Sequence, residues 1–421
     1  MAAEFDPSAA GPRGASPDSR GARLRELAGL FFRLGTTAFG GPAANIAMME
    51  EEVVRRRQWL THAEFLDMIG ACNLIPGPNS TEMAIHLGHR RAGFAGLAVA
   101  GACFIVPAAA ITMAVAWVYV RFGAMPAVGG ALYGIKPVII VIVLQALWRL
   151  GVTAARTPTL IAITAAATIA AFMGVNEMAI LLGAGILTVA IESLTGAAAA
   201  PGGAAAAIVA ARALPVANSV VTASPAAAQS AIAGGVVAGV TVVAAPFSLT
   251  TMFLLFAKIG AVLFGSGYVL LAFLQADFVD RLHWLTQGQL LDAVAVGQFT
   301  PGPVFCTATF IGYLLGRTPG AIVATAGIFL PAFAFVAISG PLLPRLRRSP
   351  IAGALLDGVN AASLALMVAV TWQLGRAAII DATTVAITIV GGVMLMRLRL
   401  NSAWIVTAGA LLGILAFKLH G

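Results

Sequence analysis

Residues 59–82 read WLTHAEFLDMIGACNLIPGPNSTE, and residues 284–307 read WLTQGQLLDAVAVGQFTPGPVFCT. Each stretch contains a capping box, which predicts a helix that begins just after Thr61 or Thr286. Pro-Gly-Pro then ends each helix after about 14 residues, because proline cannot continue a helix. Such a helix is about 21 Å long, which is shorter than a bilayer core of about 30 Å. Both stretches therefore predict helices that are interrupted inside a membrane.

The composition of the chain is typical of a polytopic membrane protein. Of its 421 residues, 60% are hydrophobic and 10% are charged, whereas soluble domains carry about 25% charged residues. The 46 glycines suit membrane helices, whose backbones approach each other closely. We therefore predict an all-α, multi-pass protein with discontinuous helices, surrounded by the lipid bilayer.

Other functional classes are disfavoured by the charge pattern and by missing motifs. The net charge of +8 comes from Arg and Lys scattered through short loops, which indicates membrane topology and not nucleic-acid binding. The cysteines Cys72, Cys103 and Cys306 lie apart in apolar segments, so neither a metal site nor a disulfide framework is expected. No phosphate-binding loop, HExxH or GxSxG motif occurs, and we expect neither a cofactor nor an enzymatic activity.

The chain consists of one sequence repeated. A shift of 225 residues takes the Trp-Leu-Thr block at 59–61 onto the block at 284–286, and a shift of 224 takes Trp148 onto Trp372. The apolar run 229–246, between the repeats, can supply an extra crossing. We divide the chain into a disordered N-terminal tail (1–21), a first transmembrane repeat (22–195), an Ala/Gly-rich linker (196–247) and a second transmembrane repeat (248–421).

Loop charges indicate that the two repeats are inverted relative to each other. If the apolar run 24–41 is a crossing, most loop arginines of repeat 1 lie on its N-terminal side, although Arg55, Arg56 and Arg57 fall opposite. In repeat 2 the bias is reversed, with the arginines at 345–348 on the side opposite its start. Because cytoplasmic loops are rich in Lys and Arg, we expect the N-terminus in the cytoplasm. Inverted repeats are common among secondary transporters, whose substrate site lies at the repeat interface.

The helices that restart after the two Pro-Gly-Pro breaks are candidates for anion binding. A helix N-terminus offers free N–H donors and about half a positive charge, which suits a tetrahedral oxyanion. Asn79 can cap the first restart, whereas Val304 offers no side-chain cap at the second. The alternative interpretation is a proline kink that only shapes packing.

A second pair of elements contains glycines that allow close backbone approach, either to a ligand or to a neighbouring helix. These elements are Phe39-Gly40-Gly41-Pro42 and Phe264-Gly265-Ser266-Gly267. Together with the breaks they supply the candidate substrate-binding residues, which are Gly40, Gly41, Pro76, Gly77, Pro78, Asn79, Ser80, Gly265, Ser266, Gly267, Pro301, Gly302, Pro303 and Val304.

Charged residues inside apolar runs are costly and point to a function. Arg33 and Lys258 occupy equivalent positions in the two repeats and can add positive charge near an anion, as can the deeper Lys136. Alternatively, Arg33 and Lys258 reach towards the membrane surface. The candidates for ion coupling are Glu82, which shares a helix face with His86, and the equivalent pair Asp67 and Asp292. The alternative is that these acids lie on polar helix faces.

The chain resembles the chromate ion transporter family, in its long two-domain form, over nearly its whole length outside the tail and linker. The resemblance rests on Phe39–Pro42, Trp59–Thr61, Asn73–Pro78, Gly265–Gly267 and Gln298–Pro303. It implies export of chromate from the cytoplasm across the inner membrane, and thereby chromate resistance. It does not separate chromate from sulfate, a tetrahedral dianion of similar size. The alternatives are an uncoupled oxyanion channel and a sulfate-type anion importer, and a homodimer is left open.

Overall fold

The computed structural model describes residues 19–123, 125–199, 247–264, 267, 269–397 and 402–420, and within them all regular structure is helical. Repeat 1 contains α1 (Arg20–Thr37), α2 (Gly41–Glu50, continued by the π-helical segment Glu51–Arg56), α3 (His62–Cys72), α4 (Asn79–Phe122), α5 (Pro126–Ala154), α6 (Pro158–Phe172) and α7 (Glu177–Ala199). Repeat 2 contains their counterparts in the same order, which are α8 (Leu249–Val262), α9 (Leu270–Leu274, continued by the π-helical segment Gln275–Arg281), α10 (Gln287–Phe299), α11 (Thr307–Arg348, preceded by the 3-10 turn Val304–Cys306), α12 (Pro350–Ala378), α13 (Ala382–Met396) and α14 (Ser402–His420). The prediction of an all-α protein with two repeats is confirmed.

The outer surface of the helices is suited to lipid. Large apolar side chains project from it, such as the equivalent Trp148 and Trp372, which are 70% and 61% exposed. Water penalises exposed apolar surface of this kind, whereas lipid tails do not. The protein is therefore a multi-pass membrane protein. Among the described residues, five segments are long and apolar enough to cross a membrane, namely Asn79–Phe122, Pro126–Ala154, Glu177–Leu194, Val304–Ser339 and Pro350–Ala378.

Both predicted capping boxes form. The N–H of Thr61 donates to the carboxylate of Glu64 at 2.8 Å, and the N–H of Thr286 donates to the side-chain oxygen of Gln289 at 2.9 Å. α3 then ends at Cys72 and α10 at Phe299, each just before its Pro-Gly-Pro. The prediction of discontinuous helices is confirmed.

The long helix α4 consists of two arms that fold back on each other. Its backbone leaves the helical region at Ala92 (φ −145°) and Gly93 (φ +64°), and a positive φ of this size favours glycine. On either side of this turn, Gly88 and Gly96 touch through their backbones, with no room for a side chain. α11 contains the same turn at the equivalent positions. In both helices the arm before the turn is short, and the arm after it is the crossing arm.

Four re-entrant hairpins precede the crossing arms. In hairpin 1 the helices α1 and α2 are antiparallel, because Arg57, after the π-helical segment, pairs with Glu26 near the start of α1 at 2.8 Å. In hairpin 2, α3 and the short arm of α4 are antiparallel, because Arg90 pairs with Glu64. Hairpins 3 and 4 are their counterparts in repeat 2, formed by α8 with α9 and by α10 with the short arm of α11. Each Pro-Gly-Pro is therefore the turn of a hairpin and not a gap in one crossing helix.

This path corrects the expected sides of the loops. The run 24–41 does not cross, because α1 ends beside the middle of the crossing arm of α4, where Gly35 packs against the backbone of Phe104. The arginines at 55–57 consequently lie on the same membrane face as the start of α1, which we call the N-terminal face. Arg121 is then the basic loop residue of repeat 1 on the other face. The corrected loop charges favour a cytoplasmic N-terminus more strongly than the expected path did.

The crossing arms of α4 and α11 pack against each other in opposite directions. Tyr119, late in the crossing arm of α4, meets Phe310, on the short arm that leads to the start of the crossing arm of α11, with ring centroids 5.2 Å apart. Gly101, early in the crossing arm of α4, packs against Phe333, late in α11. Equivalent helices of the two repeats are therefore antiparallel, which makes the repeats inverted across a membrane, as the loop charges predict.

The remaining helices exchange partners between the repeats. α5 packs against α13 and α14, and α12 packs in the equivalent way against α6 and α7. Small residues bring these backbones close together, with Gly134 against Gly409 and Gly413, and Gly358 against Gly185. Close contact of this kind holds helices together in lipid, where the hydrophobic effect does not. The two repeats therefore form one intertwined unit.

Two expectations fall largely on residues that the structure does not describe, namely the N-terminal tail and the extra crossing at 229–246. The crossing therefore stays a prediction, although the described helix ends favour it. α7 is antiparallel to α12, with Glu177 near Gln373 and Thr188 against Gly358. As a result, α7 ends on the N-terminal face, whereas α8 begins on the other.

The re-entrant path of hairpin 1 can be tested by cysteine labelling. In a background with Ser at Cys72, Cys103 and Cys306, we introduce either Arg57→Cys or Arg121→Cys. We expect a membrane-impermeant thiol reagent to label position 57 from the face that holds the N-terminus, and position 121 from the opposite face. Labelling of both positions from one face would show that α1 crosses the membrane and would contradict the hairpin.

Candidate functional site

The turns of the four hairpins meet inside the protein. Tips 1 to 4 are residues 38–40, residues 73–78, the described residues 263, 264, 267 and 269, and residues 300–303. The N–H of Gly77 in tip 2 donates to the carbonyl oxygen of Leu263 in tip 3 at 2.7 Å, and the N–H of Gly302 in tip 4 donates to that of Ala38 in tip 1 at 2.9 Å. These two hydrogen bonds are equivalent under the 225-residue shift. Each Pro-Gly-Pro is therefore bonded to the opposite repeat.

Glycine is required at the centre of both breaks. Gly77 has φ +141° and Gly302 has φ +92°, values that residues with a side chain rarely adopt. A Cβ on Gly302 would collide with Ala108 in the crossing arm of α4, and a Cβ on Gly77 would collide with the carboxyl group of Glu82. At the meeting point, tips 2 and 4 therefore present backbone where no side chain fits.

Tip 1 adds a buried amide that was not among the predicted site residues. The chain turns at Gly40 and Gly41, which have φ +109° and +78°. Shortly after the turn, the fully buried Asn45 donates from its side-chain amide to the carbonyl oxygen of Gly302 at 3.1 Å. The side-chain oxygen of Asn45 has no hydrogen-bond partner. Its counterpart in the repeat is Leu270, so comparison of the repeats did not point to it.

Tip 3 approaches the residues that directly follow tip 1 and tip 4. A Cβ on Gly267 would lie 3.2 Å from the ring of Phe305 and 3.5 Å from Pro42. Gly267 is thus at the meeting point, as its pairing with tip 1 in the sequence predicts. Gly265 and Ser266 lie outside the residues that the structure describes.

The helix restarts differ from the expectation at Asn79. Its side-chain amide donates back across the break to Asn73 at 2.8 Å, and no side chain caps the start of α4. In the second repeat the 3-10 turn precedes α11 and also has no side-chain cap. The first-turn N–H groups, including those of the buried Ser80 and Val304, are therefore left to backbone, water or a ligand.

Arg33 and Lys258 are each held by an acid. Arg33 pairs with Glu52 at 2.5 Å, and Lys258 pairs with Asp277 at 2.5 Å. Both acids are buried and lie on the π-helical segments, so each pair joins the two arms of a hairpin. The acids are also equivalent under the 225-residue shift, so pairing of the repeats could have predicted both ion pairs. The acids reduce the positive charge that Arg33 and Lys258 can offer to an anion.

Lys136 and Asp292 form an ion pair between the repeats. The ammonium group of Lys136 in α5 lies 3.1 Å from one carboxylate oxygen of Asp292 in α10, and the hydroxyl group of Tyr119 donates to the other at 2.8 Å. Asp292 is 4% exposed, whereas its counterpart Asp67 in α3 is exposed. The repeat offers Asp67 no equivalent lysine, because Asn360 occupies that position.

The two Pro-Gly-Pro hairpins differ in their surroundings. α10 packs against α5, α12 and α14, whereas α3 packs chiefly against α4. The whole length from Leu290 to Gln298 is buried, while Leu66 on α3 is 51% exposed. Inverted repeats of related sequence thus adopt two conformations, with hairpin 4 closed over α5 and hairpin 2 open.

Glu82 and His86 lie one helical turn apart just after tip 2. Glu82 is 0% exposed, and neither of its carboxyl oxygens has a hydrogen-bond partner. The Nε2 atom of His86 is buried and has none either. In the second repeat, Thr307 replaces Glu82, and its hydroxyl group donates to the carbonyl oxygen of Val304 at 2.8 Å. The two breaks therefore differ in the chemistry of their side chains, although both contain Pro-Gly-Pro.

The fold contains two inverted copies of one helical unit, which contact each other at the Pro-Gly-Pro tips. The comparison with known families finds the same duplication. The profile of the chromate transporter family matches the chain twice, over residues 25–189 and 250–414. The chain belongs to the chromate transporter family. The two matched segments coincide with repeats 1 and 2, and membership supports a transporter rather than an enzyme.

Relatives of similar length are named for chromate transport. The chromate transport protein of Pseudomonas aeruginosa is 31% identical over 405 residues, which cover 94% of this chain and 93% of the relative. The chromate transport protein of Cupriavidus metallidurans is 30% identical over 411 residues, 94% of each chain. The probable chromate transport protein of Synechococcus elongatus is 27% identical over 398 residues, 93% of this chain and 95% of the relative. No solved structure is significantly similar to the chain.

Proposed function

We propose that this protein is a secondary transporter that exports chromate across the cytoplasmic membrane by alternating access, with the oxyanion bound where the four tips meet. The observation that carries the proposal is the pair of hydrogen bonds from Gly77 to Leu263 and from Gly302 to Ala38. They fasten each Pro-Gly-Pro break to a tip of the opposite repeat, and Gly267 in tip 3 lies against Phe305, just after tip 4. The tips therefore meet at the interface of inverted repeats, where many secondary transporters bind their substrates. The choice of chromate follows from the family and from the names of the relatives.

The meeting point suits a small dianion for an electrostatic reason. The helix starts after Pro78 and Pro303 each direct N–H groups and about half a positive charge towards the tips. The buried hydroxyl group of Thr81 and the side-chain oxygen of Asn45 have no partner, which leaves Thr81 a hydroxyl hydrogen to donate to a ligand. Arg33, Lys258 and Lys136 are ion-paired, so in this proposal they act at longer range than the backbone amides. Sulfate has the same charge and shape as chromate, and we expect it to compete.

The different conformations of the two repeats support alternating access. Hairpin 4 is closed over α5, whereas α3 of hairpin 2 is exposed. If the inverted repeats exchanged these conformations, one face of the site would close while the other opened. With the basic N-terminal face in the cytoplasm, the membrane potential would drive export. Moving a dianion outward across 100 mV releases about 4.6 kcal/mol.

Uptake of radiolabelled chromate into inside-out vesicles tests the proposal. We expect uptake to saturate with chromate and to be reduced by sulfate. The double substitution Pro301→Ala with Pro303→Ala should lower uptake by at least about tenfold, which corresponds to a loss of about 1.4 kcal/mol in binding the substrate. The physical reason is that a helix continuing through the tip loses its free N-terminus.

The matched control is Pro158→Ala, which removes a proline from the start of α6, where Thr157 caps the helix through the N–H of Leu160. This variant should transport like the wild type, and yield and size-exclusion profiles show whether each variant inserts. Wild-type uptake by the double variant would overturn the proposed site. Uptake that never saturates would indicate a channel instead of a transporter.

A further inference from the structure

Tip 2 holds an acid that no described residue neutralises. Glu82 is 0% exposed, and both of its carboxyl oxygens lack a hydrogen-bond partner. Its side chain curls back towards the break, so that its Oε1 atom occupies the space where a Cβ of Gly77 would stand. A buried carboxylate without a partner costs on the order of several kcal/mol. In this arrangement the surroundings tolerate the neutral, protonated carboxyl group.

The charged groups around Glu82 are engaged elsewhere. On α4 itself, His86 lies one turn further along, and its Nε2 atom makes no hydrogen bond. On α1 and α8, the helices that lead into tips 1 and 3, the basic residues closest to the tips in sequence are Arg33 and Lys258, which pair with Glu52 and Asp277. The remaining described titratable or charged side chains on elements packed against α4 do not bond to Glu82; they are Arg20, Arg23, Arg25, Glu26, Glu50, His62, Glu64, Asp67, Cys72, Asp292, Cys306, Tyr313 and Arg317.

The position of Glu82 coincides with the place where tip 2 attracts negative charge. The carboxyl group lies at Gly77, beside the start of α4 and its first-turn N–H groups. These groups would favour an anion from solution for the same reason that they favour an ionised Glu82. In the second repeat this conflict does not arise, because Thr307 is neutral and already bonded to Val304.

We propose that Glu82 is the proton site of the transporter and that its carboxyl group competes with the substrate oxyanion for tip 2. This inference rests on the proposed function above. When Glu82 is ionised, its charge occupies tip 2 and repels a dianion. When Glu82 carries a proton, tip 2 can accept the dianion. Each ligand therefore increases the affinity for the other by the same factor, as linkage requires.

The consequence for transport is that one proton moves together with one oxyanion. A dianion accompanied by a proton carries one net negative charge, so the outward step still gains about 2.3 kcal/mol per 100 mV of membrane potential. The proton binds at a carboxylate oxygen of Glu82 when the oxyanion enters and leaves on the other face when the oxyanion is released. No bond to the substrate forms or breaks.

Proton uptake during binding tests this inference on the purified full-length protein. Chromate is added in weakly buffered detergent solution, over a pH range in which it remains the dianion. At pH values where Glu82 is ionised in the free protein, we expect the wild type to take up close to one proton for each chromate bound, and its affinity to fall by up to about tenfold for each further pH unit. Glu82→Gln should bind chromate with an affinity independent of pH and without proton uptake.

The control is Glu192→Gln, which removes an exposed acid on α7 and should behave like the wild type. Proton uptake that persists in Glu82→Gln would overturn the inference and leave the proposed function intact. If Glu82→Gln does not fold, the wild type decides alone, because chromate binding without proton uptake and without pH dependence excludes the mechanism. Absence of chromate binding by a well-folded wild type would instead overturn the proposed function.

Discussion

Substitution of Gly302 by valine is expected to abolish chromate transport and to destabilise the protein. The backbone at Gly302 has φ +92°, which costs a residue with a side chain about 1–2 kcal/mol. The new Cβ would also collide with Ala108, and overpacking of this kind costs about 1–3 kcal/mol. Because the N–H of Gly302 bonds to Ala38, any backbone shift that relieves the collision separates tip 4 from tip 1.

Chromate uptake in vesicles and the melting temperature in detergent measure the two effects. Gly174→Ala is the matched control, because Gly174 also has a positive φ of +78° but nothing lies within 4 Å of a Cβ there. Backbone strain alone should lower the free energy of unfolding of this control by about 1–2 kcal/mol, and the control should still transport chromate. Gly302→Val with wild-type uptake would show that the contact between tips 1 and 4 is not needed.

Asp292→Ala is expected to cost about 3 kcal/mol of stability and most of the transport activity. Removing one partner of a buried ion pair costs about 3–5 kcal/mol, and the lower end applies because the side chain of Lys136 is 25% exposed. The substitution also leaves the hydroxyl group of Tyr119 without its acceptor. Since this pair joins α10 to α5, its loss should release hairpin 4 from its closed conformation.

A double substitution and two single substitutions separate the contributions of the ion pair and of the hydrogen bond. Asp292→Leu combined with Lys136→Met removes both charges, and its melting temperature should recover towards the wild-type value, because apolar replacement of a buried pair is often neutral. Tyr119→Phe alone should cost about 1 kcal/mol. Asp67→Ala, at the exposed counterpart position, should change the melting temperature little. Equal melting temperatures for Asp292→Ala and the wild type would contradict a stabilising role of the pair.

The re-entrant hairpins explain how backbone amides reach the middle of a membrane. Irregular backbone at that depth is tolerated only where protein or a water-filled cavity surrounds it. Here the surrounding protein is the opposite repeat, whose Leu263 and Ala38 accept the N–H groups of the two central glycines. Inverted duplication therefore supplies each break with the partner that its own repeat lacks.

Several features of the fold were predictable because they depend on neighbouring residues alone. The capping boxes at Thr61 and Thr286 determine where α3 and α10 begin, and Pro76 and Pro301 ensure that both helices end early. The 225-residue repeat was visible in paired Trp and Pro-Gly-Pro residues. The membrane setting followed from composition. Of the candidate site, the two central glycines and Gly267 were identified in this way.

Tertiary structure decided the direction of the chain after each break and the partners of the charged residues. A proline in the sequence predicts where a helix stops. Whether the next helix continues in the same direction or folds back depends on contacts such as that between Arg57 and Glu26, 31 residues apart. The burial of Asp292 and the exposure of Asp67 likewise depend on how α5 packs against only one hairpin. Helix starts and stops are local and were readable from the sequence, whereas hairpin direction, ion pairing and the difference between the repeats arise from packing between distant segments.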